Sequence, residues 1–584
     1  MRHVNFADRH WRRGIGQWVA SVAIGVFSAV GAGHAQTASE ITPPTLQPEL
    51  QRLNGAVVFT GRTGTQAPPG SDEIGITLSG VDLRNALPQL AAQNNAFKAR
   101  LTSGRVPVSE LFDATAALEE AYADAGFVLT RVVLPQQSLR DGGVLRVEIV
   151  NGFIERVDTS NVPANARSRI EGLTAPIVNK EGLTRGELER QLLLAGDVPG
   201  IALKSALGAG DEPGSAVIAL DPEYRKVTGF AGFGNPTDVG LGRVAFNLGM
   251  EVNSPLKFGE TFYFRASGAP QDYFSDDPRS RILAVGAVVP LGFSGLTLNV
   301  ELTSSDTKPD DDVVPTRSSF DRQSVRLSYP FVRSRQLNVT GQVALDLQSD
   351  KQDLIGAGGA RVPIYRDEIS VLRFGGSVSY FHKDDSVTEA GLILSQGLDA
   401  FGARTAAEAA AEGVPLSRAG ADADFTKLAG SFSHRRALAA SFPLALSVTG
   451  RFQTSFVDPL VTSEQISIVG AQELSAFDSG VLRGDSGFVV RSELSTQTRV
   501  TLATVPVLLS PYTFLSYGAV YLESPSAAEQ ERTEAFAYGI GIDFFAQTDS
   551  NFRSSSLRVE LGRRETDDGS SDDNRFTISG NFRF

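Results

Sequence analysis

Few side chains in this chain are of the types that perform catalysis or bind transition metals. The 584 residues include no cysteine, which excludes disulfides, thiolate nucleophiles and thiolate-bound metals. After residue 35 the histidines are His382 and His434, and we interpret both as exposed loop residues near turns. The aspartate runs at 310–312 and 567–568 could bind calcium, but we favour solvated loops. We therefore predict no catalytic residue, no metal site and no cofactor.

The first 35 residues have the layout of a secretory signal peptide. Four arginines precede the apolar run WVASVAIGVFSAVGAG, and a small-residue site ends at Ala35. The run is shorter than the roughly 20 residues of a membrane-spanning helix. Cleavage there removes four arginines and one aspartate, which changes the formal charge from −13 to −16. We expect an exported, acidic protein that does not bind nucleic acid.

From about residue 224 onward the sequence alternates with the period of a β-strand. The stretches LNVTGQVALDLQ and LALSVTGRF place apolar residues on one face and polar residues on the other. Short, often proline-containing connections alternate with long polar ones, as in an outer-membrane barrel and unlike a soluble β-sandwich or propeller. At about 10 residues per strand, residues 224–584 predict an antiparallel transmembrane barrel of roughly 16 strands.

The C-terminal stretch NRFTISGNFRF ends on an aromatic residue, Phe584, in perfect alternation. An unpaired strand edge is very costly in lipid, so we expect this strand to close the barrel against the first one. Phenylalanine and tyrosine must then form the aromatic belts. Candidates are Phe262, Tyr263, Phe264, Tyr329 and Tyr517.

Residues 74–223 predict two small α+β units. The first contains a helix in VSELFDATAALEEAYADAGF, with Ser109 as its N-cap, a buried stripe through Leu111, Leu118 and Tyr122, and Gly126 as its stop. The second contains a helix in TRGELERQLLLAGDVPG that begins with a capping box from Thr184 to Glu187.

These units resemble the polypeptide-transport-associated (POTRA) domains of two-partner secretion translocators, the haemolysin-activator and adhesin-exporter family. The resemblance lies in GFVLTRVVLPQQSLRDGGVLRVEIVNGFIERV and QLLLAGDVPGIALKSAL. It implies POTRA domains at 74–152 and 153–223, with a plug helix in PPTLQPELQRL and a linker within 36–73. The matching positions are Gly126, Phe127, Leu134, Pro135, Gln137, Pro199 and Gly200.

The resemblance also implies that a loop at 457–485, after the eleventh barrel strand, folds into the lumen. Gly484, Asp485 and Gly487 match the family's loop motif, but Ser475 stands where an arginine is expected. On the thirteenth strand Ser516 replaces the aspartate that pairs with this arginine. Our hypothesis is that two hydroxyls, bonded to each other or to water, replace an ion pair and hold the loop less tightly; a weakened transporter is the alternative. The remaining motif positions are Leu474, Ala476, Phe477, Phe514 and Gly518.

The resemblance implies a translocator in the outer membrane of a Gram-negative bacterium, with its POTRA domains in the periplasm. Its expected partners are an extended secreted protein, outer-membrane lipid and the barrel-assembly machinery. The competing interpretations are a passive channel, a membrane-protein insertase and a barrel enzyme. The channel would be a diverged one, and the insertase would belong to the same superfamily, whose insertases usually carry more POTRA domains. The enzyme would depend on His382 and His434 as its only bases.

Overall fold

The computed structural model describes residues 36–47, 67–311, 314–438, 443–480, 482–502, 505–527, 529–547, 550–567 and 572–584. They group into two units. Residues 36–47, which contain helix α1 (Ala38–Ile41), group with residues 225–584, and residues 67–224 form the second unit. Among the described helices, none is both long and apolar enough to cross a bilayer.

The first half of the second unit is a four-stranded sheet covered by two helices. Its strands lie in the order β2-β1-β4-β3, and β1 and β4 run parallel. In chain order its elements are β1 (Gly75–Arg84), a 3-10 turn (Pro88–Leu90), α2 (Ala91–Leu101), β2 (Arg105–Pro107), α3 (Val108–Asp124), β3 (Arg131–Val133) and β4 (Gly143–Val150).

Helix α3 confirms the predicted stripe but not its predicted N-cap. Leu111, Leu118 and Tyr122 are buried in the core of this half. The N-cap is Pro107, and Ser109 lies inside the helix. The prediction was wrong because backbone carbonyls from the preceding segment take the N-terminal donors: Ser109 N donates to Ser71 O at 3.1 Å. Gly126 follows the helix end with a φ of +96°, which suits glycine.

The second half is a three-stranded sheet in the order β5-β7-β6, packed against two helices. The capping box is confirmed: Glu187 N donates to Thr184 Oγ1 at 3.3 Å and Thr184 N to Glu187 Oε2 at 3.0 Å. Helix α4 and strand β6 were not predicted. The elements are β5 (Phe153–Asp158), α4 (Ala164–Thr174), a 3-10 turn (Ala175–Ile177), α5 (Arg185–Gly196), β6 (Ile201–Ala209) and β7 (Ser215–Tyr224).

The described part of residues 225–584 forms a closed antiparallel barrel of 16 strands, in agreement with the predicted number. β21 and β22 both pair with β23 and together make one strand. The elements are β8 (Val227–Gly234), β9 (Ala245–Asn253), β10 (Thr261–Gly268), β11 (Ser280–Pro290), β12 (Thr297–Thr307), β13 (Thr316–Arg333), β14 (Leu337–Ile355), β15 (Arg361–Phe381), β16 (Val387–Leu398), α6 (Ala406–Glu412), β17 (Thr426–Leu438), β18 (Leu444–Thr454), β19 (Ile466–Ser467), β20 (Arg483–Gly484), β21 (Ser486–Thr496), β22 (Thr498–Leu502), β23 (Val505–Tyr521), β24 (Arg532–Gln547), β25 (Ser554–Thr566) and β26 (Asp573–Arg583).

Alternation along these strands separates an apolar outer face from a polar inner face. Phe262 and Phe264 point outward and are 42% and 39% exposed. Tyr263 lies between them and is 4% exposed, with its hydroxyl 2.9 Å from Glu301 Oε2. Because successive side chains of a strand point to opposite faces, Tyr263 lines the interior, and its assignment to the aromatic belt was wrong.

The barrel closes where β26 pairs with β8. Phe584 and Gly229 exchange both backbone hydrogen bonds, at 3.0 and 3.1 Å. The ring of Phe584 is 46% exposed and stacks on Phe582. The last residue of the chain therefore takes part in the closing ladder.

The capping box of α5 gives a test of the second unit, residues 67–224. Burial raises the pKa of Glu187, but hydrogen bonds from Lys180 and Thr184 outweigh it and lower the pKa below its usual value. Thr184→Ala should cost about 1 kcal/mol of helix stability at neutral pH. The capping contribution of Glu187 is lost as the pH falls through its lowered folded-state pKa, so the difference between variant and wild type should shrink in acid.

Amide hydrogen exchange of α5 in the full chain measures this effect, with α2 and α3 as internal controls. Equal exchange of α5 in both proteins at neutral pH would contradict the assigned cap.

Candidate functional site

The connection between β18 and β21 folds into the barrel. β19 and β20 of this connection pair with each other, and the described residues between them pack against the inner wall. The loop side chains Ile468, Leu474 and Phe477 are at most 2% exposed. They share one apolar cluster with wall residues, among them Val489, Tyr512, Phe514 and Ala537. Burial on this scale makes the loop part of the barrel's core.

Ser475 and Ser516 both contact this interface, but through different partners. Ser475 Oγ donates to Glu560 and accepts a hydrogen bond from Arg491 Nη1 at 2.7 Å. Ser516 Oγ donates to the backbone oxygen of Glu473 at 2.8 Å. Among the hydrogen bonds of the described residues none joins the two serines, so each attaches the loop separately.

Arg491 of β21 is a functional residue that the sequence did not single out. Its side chain is fully buried, and Nη2 lies 2.6 Å from Glu560 Oε2 while Nε lies 2.7 Å from Glu493 Oε1. Nη1 donates to Glu473 O at 3.2 Å, and the guanidinium stacks 3.9 Å above the Phe514 ring. An arginine and a glutamate of the wall therefore supply the charges to which Ser475 and the Glu473 carbonyl are bonded.

Phe514 occupies a recess that two glycines leave open. A Cβ on Gly539 would lie 2.8 Å from its ring, and one on Gly562 would lie 3.0 Å from both the ring and Ala476. Phe514 and Ala476 can therefore approach the wall only because these two positions lack side chains.

Asp485 joins the loop to its surroundings. It is completely buried, and its Oδ1 accepts from Leu460 N and Gln465 Nε2, both at 3.0 Å. Its Oδ2 accepts from Glu523 N at 2.7 Å. The carboxylate thus ties the start of the loop to the segment after β23. At the glycines of this region a Cβ would come within 2.5–2.8 Å of a carbonyl oxygen; they are Gly484, Gly487 and Gly518.

Ion pairs fix the loop at both ends. Near its start, Glu464 is 1% exposed and lies 2.6 Å from Arg373 and 2.8 Å from Lys427. Beyond the tip, Asp478 pairs with Arg564 at 3.1 Å and with Arg575. Within the tip, the carboxylate of Glu473 lies 2.8 Å from Arg451 on β18, whereas Ser475 and the Glu473 carbonyl meet Arg491 through a hydroxyl and a backbone group.

Residues 36–47 lie inside the barrel beside β12 and β13. The α-helix is α1, and residues 42–47 are not helical, so the helix lies earlier than the predicted PPTLQPELQRL. Residues 48–53 of that stretch lie outside the described residues. Ala38 and Ile41 are buried, and Ala38 N donates to Ser318 Oγ at 3.0 Å.

Two contacts join this segment to the inward loop. Gln36 Nε2 donates to Ser479 O at 3.2 Å. Glu40, 2% exposed, lies 2.6 Å from Arg483 Nη2. Arg483 Nε and Nη1 have no hydrogen-bond partner among the described residues, so Glu40 is the group that neutralises this arginine.

The POTRA motif positions have structural roles. Gln137 hydrogen-bonds both backbone groups of Arg146, accepting from its N at 2.8 Å and donating to its O at 2.7 Å, and so extends the sheet at β4. Its Nε2 also reaches Pro135 O at 3.2 Å. Phe127 and Leu134 pack in the core. Gly200, after Pro199, has a φ of +73° and leads into β6.

The two histidines are not both loop residues. His434 lies in β17, so that prediction was wrong; period-two alternation continues through it. His382 Nε2 and His434 Nδ1 lie 2.8 and 2.9 Å from the same hydroxyl, Thr388 Oγ1.

The first acidic run has protein partners where it is described. Asp310 pairs with Arg279 at 2.7 Å. Residues 312 and 568 lie outside the described ranges. Within those ranges no group of three or more histidine, cysteine, aspartate or glutamate side chains is placed to hold a metal ion.

Comparison with known proteins agrees with this geometry. Residues 214–544 match the family described as haemolysin secretion/activation protein ShlB/FhaC/HecB, and residues 76–152 match the ShlB-type POTRA domain. The heme/hemopexin transporter protein HuxB of Haemophilus influenzae is 20% identical over 449 residues, which cover 75% of this chain and 74% of that protein. The outer membrane transporter CdiB of Dickeya dadantii is 23% identical over 379 residues, 64% of each chain.

The fold also matches solved structures. CdiB from Escherichia coli superposes with a TM-score of 0.69 at 19% identity, covering 90% of this chain and 93% of that one. A closed 16-strand barrel preceded by POTRA domains defines an outer-membrane transporter with its POTRA domains in the periplasm. The chain belongs to the haemolysin secretion/activation (ShlB/FhaC/HecB) family of two-partner secretion transporters, which is a family of transporters and not of enzymes.

Removing Arg491 should release the loop tip. Arg491→Gln leaves Glu560 and Glu493 short of a cation in a buried site, at a cost of about 3–5 kcal/mol. Because the chain has no cysteine, Ser479→Cys provides a single reporter at a position that is 1% exposed. The rate of its labelling by a maleimide should rise sharply in Arg491→Gln and less in Arg491→Gln/Glu560→Gln.

Arg563→Gln is the matched control, because Arg563 is exposed and pairs with Glu565 on the same strand as Glu560. Equal labelling in the Arg491 variant and this control would show that Arg491 does not hold the loop.

Proposed function

We propose that this protein exports a large partner protein in an extended form, and that residues 36–47 and the loop 457–485 close its lumen at rest. The observation that carries this proposal is that both segments lie inside the barrel and contact each other. The segment contacts β12 and β13, and the loop contacts β21, β23 and β25. Two peptide segments that share the interior occupy the path of a passing chain, so we infer that both move during export.

The contacts between the two segments couple their movements. If the loop leaves, Glu40 loses Arg483, and if the segment leaves, Arg483 loses Glu40. Either event exposes a charge that was paired in a confined site. We therefore infer that the two segments are released together.

The serines of the loop motif support a loosened attachment of the tip. The tip contributes a hydroxyl, Ser475, and a backbone carbonyl, Glu473 O, to the charged wall. Hydrogen bonds to a charged group contribute about 1.5–3 kcal/mol each, less than the cost of separating a buried ion pair. We infer that the hydroxyls replace a charge at the tip and make its release easier.

For entry, we propose that the partner adds a strand to the POTRA sheets. In the sheet β5-β7-β6, β6 pairs with β7 and its other edge has no strand partner among the described residues. β6 has nine residues, whereas the edge strands β2 and β3 of the other sheet have three each. A long open edge offers backbone groups to an extended peptide of many sequences. The exposed Lys204 can discourage unspecific pairing of this edge.

We also propose lipid and the barrel-assembly machinery as partners. The outward residues form an apolar band that suits hydrocarbon. Examples are Leu392, Ile540, Leu561 and Phe582, which are 52–64% exposed. The terminal strand with Phe584 is the edge that must pair last, so it is the segment we expect the machinery to hold during insertion.

The export proposal predicts a change in secreted proteins. In the source bacterium, deleting this chain should remove one large protein from the culture medium and retain it in the periplasm. Restoring the full chain should return it to the medium, and restoring a chain without residues 67–224 should not. An unchanged set of secreted proteins would overturn the proposal.

The closed-lumen proposal predicts a change in conductance. Glu40→Gln removes the partner of Arg483 and should raise the fraction of time that single channels in planar bilayers are open. Glu73→Gln makes the same chemical change at an exposed position and should have no effect. Identical traces for the two variants would show that the Glu40–Arg483 pair does not keep the lumen closed.

A further inference from the structure

The inner face of β12 is an unbroken row of polar side chains. Its alternate residues are Asn299, Glu301, Thr303, Ser305 and Thr307, and each is at most 5% exposed. Side chains that share a strand face recur about every 6.8 Å. Residues 36–47 cross this row with the helix α1 and then with residues 42–47, which are not helical.

This row and its neighbours on β13 bind residues 36–47 through the backbone of that segment. Carbonyl oxygens accept hydrogen bonds from Thr307 Oγ1, Ser305 Oγ, Arg322 Nη2 and Asn299 Nδ2 at 2.8–3.1 Å. Backbone N–H groups donate to Ser318 Oγ and Glu301 Oε2, each at 3.0 Å. The segment residues involved are Gln36, Ala38, Pro43 and Leu46.

Side-chain recognition of the segment comes from other parts of the barrel. Ser39 bonds Asp350 on β14, Glu40 pairs with Arg483, and Gln36 bonds the loop at Ser479. The inner face of β12 and β13 thus contacts backbone N–H and C=O groups, which every polypeptide possesses. The contacts to the segment's side chains come from β14 and the inward loop.

The same face also carries hydrogen-bond donors that have no partner among the described residues. Arg326 lies directly opposite Asn299 and is 7% exposed. Its Nε and Nη1 have no hydrogen-bond partner among the described residues. Buried donors usually have partners, so two unbonded nitrogens of a guanidinium in the lumen wall point to a ligand with carbonyl or carboxylate oxygens.

We propose that the inner face of β12 and β13 is a binding track for the backbone of the exported polypeptide, which residues 36–47 occupy at rest as a pseudo-substrate. This proposal rests on the proposed export function. The segment runs from Thr307 at Gln36 to Asn299 at Leu46, antiparallel to β12. A passing chain of any sequence needs partners for its backbone groups, and single neutral hydrogen bonds are weak enough to be exchanged as the chain moves.

The test uses a purified full-length protein that lacks only residues 36–47, and two fluorescent peptides. One peptide is QTASEITPPTLQ, the sequence of residues 36–47, and the other is a scrambled version. Binding is measured by fluorescence anisotropy. The variant Asn299→Leu/Ser305→Ala/Thr307→Val removes three backbone partners, and Ser304→Ala is the control on the opposite face of the same strand.

We expect both peptides to bind, the native one more tightly because it keeps its side-chain contacts. The triple variant should weaken both peptides by the same factor, roughly tenfold or more. Arg326→Gln, which removes no hydrogen bond that residues 36–47 make at Nε or Nη1 in the structure, should leave the affinity of the native peptide unchanged.

A scrambled peptide that does not bind, or affinities equal to those of the Ser304→Ala control, would overturn the track. Conductance of the protein lacking residues 36–47 separates this result from the closed-lumen proposal. If the channel stays shut while peptides still bind through the row, the closure by residues 36–47 is wrong and the track stands. If the channel opens and the row has no effect on peptide binding, the closure by residues 36–47 stands and the track is wrong.

Discussion

The buried guanidinium of Arg491 is the interaction on which the closed interior depends. It lies where the loop tip, β21, β23 and β25 meet, and its side chain is fully buried. Its carboxylate partner Glu560 also accepts from Ser475 and from Tyr512 Oη at 2.9 Å. A buried cation requires such partners, so the loop tip completes a charge network that already exists in the wall. An arginine at position 475 would bring a second guanidinium against the first, which gives a physical reason for serine there.

Much of the barrel could be predicted because lipid leaves few choices. Every backbone group must be paired within the sheet, so period-two alternation and the closing strand at Phe584 follow from sequence alone. The number of strands came from simple division by strand length. The prediction of which residues face lipid was wrong at Tyr263. Its neighbours are outward phenylalanines, and only the strand register shows that its hydroxyl meets Glu301 inside the barrel.

Contacts between residues close in sequence could be predicted, whereas contacts between distant residues could not. The box at Thr184 could be read from sequence because its partners are three residues apart. Arg491 and Glu560 are far apart in sequence and meet because intervening strands wind around the barrel. The N-cap at Ser109 failed for a similar reason, since its N–H is satisfied by Ser71 O in the preceding segment. A single sequence therefore indicated the loop motif but not the partners that explain its serines.

The two segments in the lumen are held by different kinds of force. Around the loop, the buried ion pairs at Glu464 and the partly buried pairs at Asp478 make separation costly, and their strength depends on exclusion of water. Along β12, neutral hydroxyls and amides bond the backbone of residues 36–47, and water can replace such bonds at little cost. The segment's one buried salt bridge, Glu40 with Arg483, is made to the loop. Release should therefore begin at that charge pair, after which the backbone contacts can exchange one at a time for those of another chain.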